Sequence, residues 1–302
     1  MDAAITASQP SVHSWSDHQH QRRSPQHVLA CLSRSGRAPA IAAEAWRIAQ
    51  ANGATCQFLH VGENDADAHA RLRDVLAAAR VPPEAPLWLH RGKARHVIPQ
   101  MVRRHEIDLV IAGVLNRHTT LNRHLCSIAG QIVATVPCSV LLLTEPQVER
   151  EPWKRIVATV DFDELSREMI ASVLLLGRRE DVRHWHIIHE YDPGGFFSQL
   201  DNLEAVSHAA RLRRLEAFIR AFDWSGQYVQ HQCLLNKHGC DALWYAQTMK
   251  ADLLCLPLSH RRQEFWARVR RFRIDVDIHA LPCAVLLFRD NARTERTYQV
   301  AS

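Results

Sequence analysis

Short apolar runs alternate with longer amphipathic segments along most of the chain. The clearest case is the stretch 107–144. An apolar run at 109–112 ends at Gly113, a polar and basic loop follows, a helical pattern covers about 125–135, and a second apolar run occupies 140–143. A strand that is apolar throughout suits a parallel sheet buried on both faces, so this order predicts a βαβ unit. The loop that leaves such a strand feeds a helix N-terminus, where backbone N–H groups can bind an anion such as phosphate.

The same pattern occurs a second time later in the chain. Residues 251–256 (ADLLCL) repeat residues 107–112 (IDLVIA), and residues 281–287 (LPCAVLL) repeat residues 136–142 (VPCSVLL). Two copies of a unit this long indicate a tandem pair of domains and not a solenoid.

Further apolar stretches predict the other strands and helices. In the first half we predict strands at 27–32, 54–61 and 87–90 and helices at 40–52, 65–80 and 93–105, in addition to the unit above. Strands that alternate with helices predict a doubly wound parallel sheet. The predicted fold is therefore α/β, with two tandem, Rossmann-like, five-stranded parallel sheets. The predicted divisions are a tail at 1–25, a first domain at 26–145, a linker at 146–153, a second domain at 154–290 and a tail at 291–302.

Composition narrows the class of protein only a little. The chain has 302 residues, of which 47% are hydrophobic, and a formal net charge of +5, which favours anionic partners weakly. No apolar run approaches the roughly 20 residues that span a bilayer. The eight cysteines include no Cys-x-x-Cys pair and mostly lie in apolar runs, so we interpret them as small buried side chains in a reducing compartment. We expect a cytoplasmic protein with no membrane association.

The repeated unit resembles the universal stress protein (UspA) family in its tandem form. The resemblance rests on an acidic residue that opens a strand, a long loop, a serine-bearing helix and a Pro-Cys-x-Val strand, and it extends from about residue 26 to 289. It implies the adenine nucleotide α-hydrolase-like fold and a role in stress adaptation. It also implies that the two domains pair through their last strands, for which 140–143 and 285–288 are the candidates. A homodimer is left open.

The resemblance also implies an adenine nucleotide site in the first half. Nucleotide-binding members of the family carry Gly-x2-Gly-x9-Gly-(Ser/Thr) after the fourth strand. Here Gly113 and Ser127 match, Asn116 matches in part because asparagine tolerates left-handed geometry, and Cys126 departs from the pattern. Arg117 in the same loop could bind phosphate by charge. The family's aspartate at the end of strand one corresponds to Ser33. These six residues form the predicted contacts of ATP or another adenine nucleotide.

The second half departs further from the family's motif. It keeps an aspartate, Asp161, at the end of its first strand, but the loop after its fourth strand has no glycine and no Gly-Ser pair precedes Pro282. We therefore expect no nucleotide there by this route.

Two other segments carry candidate chemistry. Three histidines, His184, His186 and His189, fall in one predicted strand, although a metal site would need a further convergent ligand. Segment 261–273 is rich in arginine with interleaved aromatics, which suits an anionic or protein partner or a domain-packing helix.

No Ser-His-Asp or Cys-His arrangement can be identified, so the sequence favours a non-catalytic stress-response module. Two alternatives stay open. One is a scaffold that acts through protein partners without a nucleotide. The other is a weak nucleotide hydrolase of the same fold.

Overall fold

The computed structural model describes residues 24–114, 128–191, 201–235, 241–258 and 281–289. Within these ranges ten strands and seven helices are present. The strands are β1 (His27–Cys31), β2 (Thr55–Val61), β3 (Leu87–His90), β4 (Leu109–Gly113), β5 (Ser139–Leu143), β6 (Arg155–Thr159), β7 (His184–Tyr191), β8 (Tyr228–Leu235), β9 (Leu253–Pro257) and β10 (Ala284–Phe288). The helices are α1 (Ala38–Asn52), α2 (Ala66–Ala78), α3 (Ala94–Arg104), α4 (Ile128–Thr135), α5 (Glu164–Arg179), α6 (Asp201–Ile219) and α7 (Asp241–Thr248).

All ten strands belong to one sheet, in the order β3-β2-β1-β4-β5-β10-β9-β6-β7-β8. Neighbouring strands are parallel within each half, where β1 lies between β2 and β4 and β6 lies between β7 and β9. The two halves meet at β5 and β10, which pair antiparallel with Leu141 opposite Leu286. The predicted α/β fold is confirmed, and its two five-stranded sheets are continuous with each other.

The sheet is buried on both faces, which explains the continuous apolar runs. In β4, Val110 faces one apolar cluster and Ile111 the other, and neither side chain is exposed to solvent. Successive side chains of a strand point to opposite faces, so a strand covered on both sides must be apolar at every position.

The acidic residue that precedes the fourth strand of each half has a structural role. One carboxylate oxygen of Asp108 accepts hydrogen bonds from the backbone N–H groups of Gln26 (2.7 Å) and His27 (2.9 Å). Asp252 accepts from Lys154 (2.8 Å) and Arg155 (2.9 Å) in the same way. Each aspartate therefore fixes the start of the first strand of its half at the amino edge of the sheet.

The segment predicted as a linker contributes to the core. Trp153 is fully buried, and the guanidinium groups of Arg47 and Arg150 lie 5.4 Å and 5.5 Å from its ring centroid. Arg150 also pairs with the buried Glu44 at 3.2 Å, and Arg47 pairs with the buried Glu180 of α5. This polar cluster connects α1 of the first half to α5 of the second.

A second connection between the halves involves a buried arginine. The side chain of Arg289, directly after β10, donates to the carbonyl oxygens of Val133 (2.7 Å) and Val136 at the C-terminal end of α4. Its backbone N–H donates to Ser139 Oγ at 3.0 Å. Burial lowers the pKa of Arg289 to about 10. The second half thus satisfies helix-end carbonyls of the first.

Candidate functional site

The first-half carboxyl edge is the candidate site. We use this name for the last residues of β1, β2, β4 and β5 and for the residues that directly follow them. The strand order reverses at β1, because the chain moves outward to β2 and β3 and then returns to β4 on the other side. Ligands of open α/β sheets bind outside the carboxyl ends of the strands at such a point.

Gly113 lies at this edge as the last residue of β4, opposite Leu143 of β5. A β-carbon added to it would lie 2.4 Å from Cδ1 and 3.2 Å from Cγ1 of Ile41 in α1. Contacts this short do not occur between packed carbon atoms, so the side chain of Ile41 occupies the space that a β-carbon at Gly113 would need. A larger residue here would therefore force the side chain of Ile41 to shift, whatever the loop binds.

Ser33 also lies at this edge, two residues beyond β1. Its hydroxyl oxygen is 2.9 Å from that of Ser35, and both side chains are half-buried. Ser35 accepts a hydrogen bond from Ala38 N–H at 3.0 Å through its backbone carbonyl. Among the residues that the structure describes, no side chain caps the N-terminus of α1. The hydroxyl pair consequently lies beside a helix start that has no carboxylate cap.

Arg37 was missed in the sequence analysis. Its Nη1 donates to the carbonyl oxygens of Thr144 (2.9 Å) and Val114 (3.2 Å), which directly follow β5 and β4. The guanidinium group therefore lies over the ends of the two strands that flank the predicted phosphate loop. Its position among ordinary turn residues gave no signal, since only the fold brings the start of α1 to the end of β5.

His60, in β2, is also at this edge, and it was likewise missed. It is 4% exposed, and its Nδ1 lies 2.9 Å from the carbonyl oxygen of Leu32. A carbonyl can only accept, so Nδ1 is the donor in this hydrogen bond. The sequence signal was a histidine within an apolar strand.

His189 occupies the matching position in the second half. Its Nδ1 lies 2.8 Å from the carbonyl oxygen of Val160. The backbone pairing is also the same, since Leu32 N–H donates to Leu59 and Val160 N–H donates to Ile188. Burial lowers the pKa of His189, the hydrogen bond to Val160 opposes that change, and two nearby arginines of α6 lower the pKa further. The neutral ring is therefore favoured.

The second-half carboxyl edge differs in its charge at the helix start. Asp163 Oδ1 accepts from Ser166 N–H (2.8 Å) and Ser166 Oγ (2.6 Å), which caps α5 with a carboxylate. Phe162 has a positive φ of 61° and packs against His189, with ring centroids 4.3 Å apart. The N–H groups that would attract an anion already face a carboxylate.

The other histidines of β7 do not converge on one point. His186 is buried with its Nδ1 3.1 Å from the hydroxyl oxygen of Tyr245, whereas His184 is exposed and contacts the ring of Tyr228. Within the described ranges no three histidine, cysteine or acidic side chains form a group that could hold a metal ion.

The cysteines that the structure describes do not form disulfides. Burial raises the pKa of the thiols of Cys31, Cys56, Cys138 and Cys283 to about 12. These thiols are therefore protonated at neutral pH and unsuited to nucleophilic chemistry.

Four of the six predicted nucleotide contacts, Asn116, Arg117, Cys126 and Ser127, lie outside the described residues, as does segment 261–273. Of the six, the structure places Gly113 and Ser33 at the first-half carboxyl edge. It adds Arg37 and His60 to them.

Comparisons with known proteins show the fold. No protein-family model matches the sequence, and no curated protein matches it. Solved structures do match. A functionally unknown protein and a candidate universal stress protein, from Pseudomonas aeruginosa strains PAO1 and UCBPP-PA14, each have a TM-score of 0.65 at 15% identity, over 92% of this chain and 98% of theirs. A universal stress protein from Archaeoglobus fulgidus DSM 4304 has a TM-score of 0.64 at 13% identity, over 87% of this chain and 96% of its own.

These matches define the class of structure: a mixed α/β fold shared with universal stress proteins along nearly the whole chain. The predicted likeness to universal stress proteins is thereby confirmed for the fold. In the part of the chain that the structure describes, no helix has the length and apolar character needed to cross a membrane.

Proposed function

We propose that this chain is a cytoplasmic tandem universal stress protein, a non-catalytic stress-response module that binds an adenine nucleotide in its first half. The second half would then stabilise the pair without binding a nucleotide itself. The shared fold supports the family assignment. The nucleotide proposal rests chiefly on the contrast between the two carboxyl edges.

The two edges differ in charge where the first helix of each half begins. In the first half, Arg37 directly precedes α1, and the turn from β1 to α1 carries no acidic residue. In the second half, the carboxylate of Asp163 caps the corresponding helix, and Glu164 lies in the first turn of α5. Phosphate groups are stabilised by cations and free N–H groups and repelled by carboxylates. The first half is accordingly the more favourable site for a nucleotide.

A binding role without catalysis is consistent with the carboxylates around this site. Asp108 precedes β4 and lies at the opposite, amino edge of the sheet, where it accepts two backbone N–H groups. Glu63 follows β2 at the carboxyl edge, but it is exposed and paired with Arg34 at 2.7 Å. Metal-assisted hydrolysis of a phosphoanhydride needs an acid that holds the metal near the phosphates and a group that activates water.

The test is a thermal-shift scan of the full chain with ATP, ADP, AMP and adenosine. A ligand at a hundred times its dissociation constant adds about 2.7 kcal/mol to the free energy of unfolding, which is easily measured. We expect stabilisation by ATP, and we expect it to be reduced in a Ser127→Ala variant. Asp161→Asn at the second-half edge is the matched control and should leave the stabilisation unchanged. Gly113 is unsuitable for this test, because Ile41 would clash with any added side chain.

Two results would redirect the proposal. Release of ADP or AMP from ATP at a rate above the buffer control would favour the weak hydrolase. Failure of all four compounds to stabilise the protein would refute nucleotide binding and favour the scaffold that acts through protein partners.

A further inference from the structure

We infer that Arg37 binds the phosphate groups of the nucleotide in the first half. The inference rests on the proposed function and identifies the residue that supplies positive charge to the site. It concerns a side chain outside the glycine-rich loop, in the turn that leads into α1.

The position of Arg37 is fixed by the ends of two strands. Nη1 donates to the carbonyl oxygens of Val114 (3.2 Å) and Thr144 (2.9 Å). Val114 is the residue directly after Gly113, so the guanidinium group lies where the predicted phosphate loop leaves the sheet. Because one nitrogen is already held by the backbone, the side chain loses less conformational entropy when it contacts a ligand.

Within the described ranges, the remaining donors of Arg37 are available for an anion. Among the described residues, Nε and Nη2 form no hydrogen bond, and no carboxylate lies within ion-pair distance of the guanidinium group. The side chain is half-buried, so its charge is screened less than that of an exposed arginine. A planar guanidinium with free N–H groups suits the tetrahedral oxygens of a phosphate.

Neighbouring residues distinguish Arg37 from other cations at the same edge. Arg34 is three residues earlier, but its side chain is 59% exposed and paired with Glu63 at 2.7 Å. In the second half the residue that directly precedes the first helix, as Arg37 does in the first half, is Asp163. An arginine at this position therefore occurs only in the half whose turn lacks carboxylates.

Arg37 also accounts for how a degraded glycine motif could still hold phosphate. The motif relies on glycines that allow close approach of the backbone, and position 126 holds a cysteine in place of the third glycine. An arginine that approaches from α1 adds charge-assisted hydrogen bonds independently of that backbone geometry.

The experiment is isothermal titration of the full-length protein with ATP, AMP and adenosine. Three variants are compared with the parent: Arg37→Gln, Arg37→Lys and, as the matched control, Arg34→Gln. Loss of a charge-assisted hydrogen bond weakens binding by about tenfold or more. We expect Arg37→Gln to weaken ATP by at least that factor while adenosine is unaffected, Arg37→Lys to be intermediate, and Arg34→Gln to match the parent.

The ligand series separates phosphate binding from a purely structural role. If Arg37 only holds the ends of β4 and β5, its variants will weaken ATP and adenosine by the same factor and will unfold at a lower temperature without ligand. That result would overturn the inference. Should Arg37→Gln fail to fold, Arg37→Lys keeps the charge and still allows the comparison of ATP with adenosine.

Failure of the inference is distinguishable from failure of the proposed function. If the parent binds ATP and Arg37→Gln binds it equally well, Arg37 has no role and the nucleotide proposal stands. If the parent binds none of the three compounds, both proposals are refuted.

Discussion

The contact between Gly113 and Ile41 provides a quantitative test of why the glycine is needed. In a Gly113→Ala variant the new methyl group would lie 2.4 Å from Cδ1 of Ile41, a side chain that is 3% exposed in the core. Such overpacking costs about 1–3 kcal/mol. The φ of Gly113 is not positive, so alanine can adopt the backbone conformation, and reduced freedom of the unfolded chain offsets about 0.4–1 kcal/mol. We expect a net loss of about 1–2 kcal/mol.

A double-mutant cycle with Ile41→Val isolates the clash. The change to valine removes Cδ1, the atom at 2.4 Å, and retains a γ-carbon at the position of the atom at 3.2 Å. Alone, Ile41→Val should cost about 0.5–1.5 kcal/mol through the lost methyl group. With valine at position 41, Gly113→Ala should cost close to nothing, which gives a coupling of about 1 kcal/mol or more. Urea denaturation of the four proteins measures each term, provided that the slopes of the transitions agree.

The outcome that refutes this reasoning is an equal cost of Gly113→Ala in both backgrounds. That would show that the glycine serves the backbone of β4 or the following loop and not the packing of α1. ATP affinity of the double variant adds a functional readout. The added β-carbon contacts Ile41 of α1, so we expect Gly113→Ala to weaken ATP binding less in the Ile41→Val background than in the parent.

Three further predictions follow from the polar contacts at the ends of the sheet and between the halves. Asp108→Ala removes an acceptor of two backbone N–H groups, and Asp252→Ala does the same in the second half. Each variant should lower the free energy of unfolding, measured by urea denaturation, by about 1–3 kcal/mol. An unchanged free energy of unfolding would show that solvent replaces the carboxylate. Arg289→Met should cost about 2 kcal/mol or more, because it leaves buried carbonyls of α4 without donors; a neutral effect would mean that α4 adjusts its own end. Burial raises the pKa of Glu44 above 4.5, although Arg150 opposes this, so its native state binds a proton more readily than the unfolded chain. The stability that protonation of Glu44 contributes is complete below pH 4.5 and is lost as the pH rises through the higher pKa of the native state. Glu44→Gln should therefore reduce the dependence of the denaturation midpoint on pH. An unchanged pH dependence would contradict the role given to Glu44.

The apolar pattern was sufficient to predict most of the secondary structure. Strands such as β4 and β9 are buried on both faces, so their sequences are apolar at every position and easily located. Helix ends were less accurate. The second helix of the first half was expected at 65–80 and is observed at Ala66–Ala78, because helix termini depend on local caps that periodicity does not show.

The segment predicted as a linker shows what local composition does not reveal. Residues 146–153 contain two prolines and several charges, which are typical of an exposed connection. In the structure Trp153 is fully buried between two arginines, and Gln147 N–H donates to Glu44 at 3.2 Å. Charged residues in a sequence are normally expected at the protein surface. Only the tertiary structure shows that these residues pair with partners from distant segments inside the protein.

The sequence by itself determined the repeated α/β plan, since burial of a parallel sheet imposes a local pattern that each strand carries independently. The tertiary structure decided which residues meet at the ends of those strands. Arg37 contacts a carbonyl 107 positions away, and Arg289 contacts the end of α4 across 153 and 156 positions. Such contacts depend on strand order and on the antiparallel junction of β5 with β10. No local spacing encodes them, because they arise only when segments far apart in the chain are brought to the same edge of the sheet.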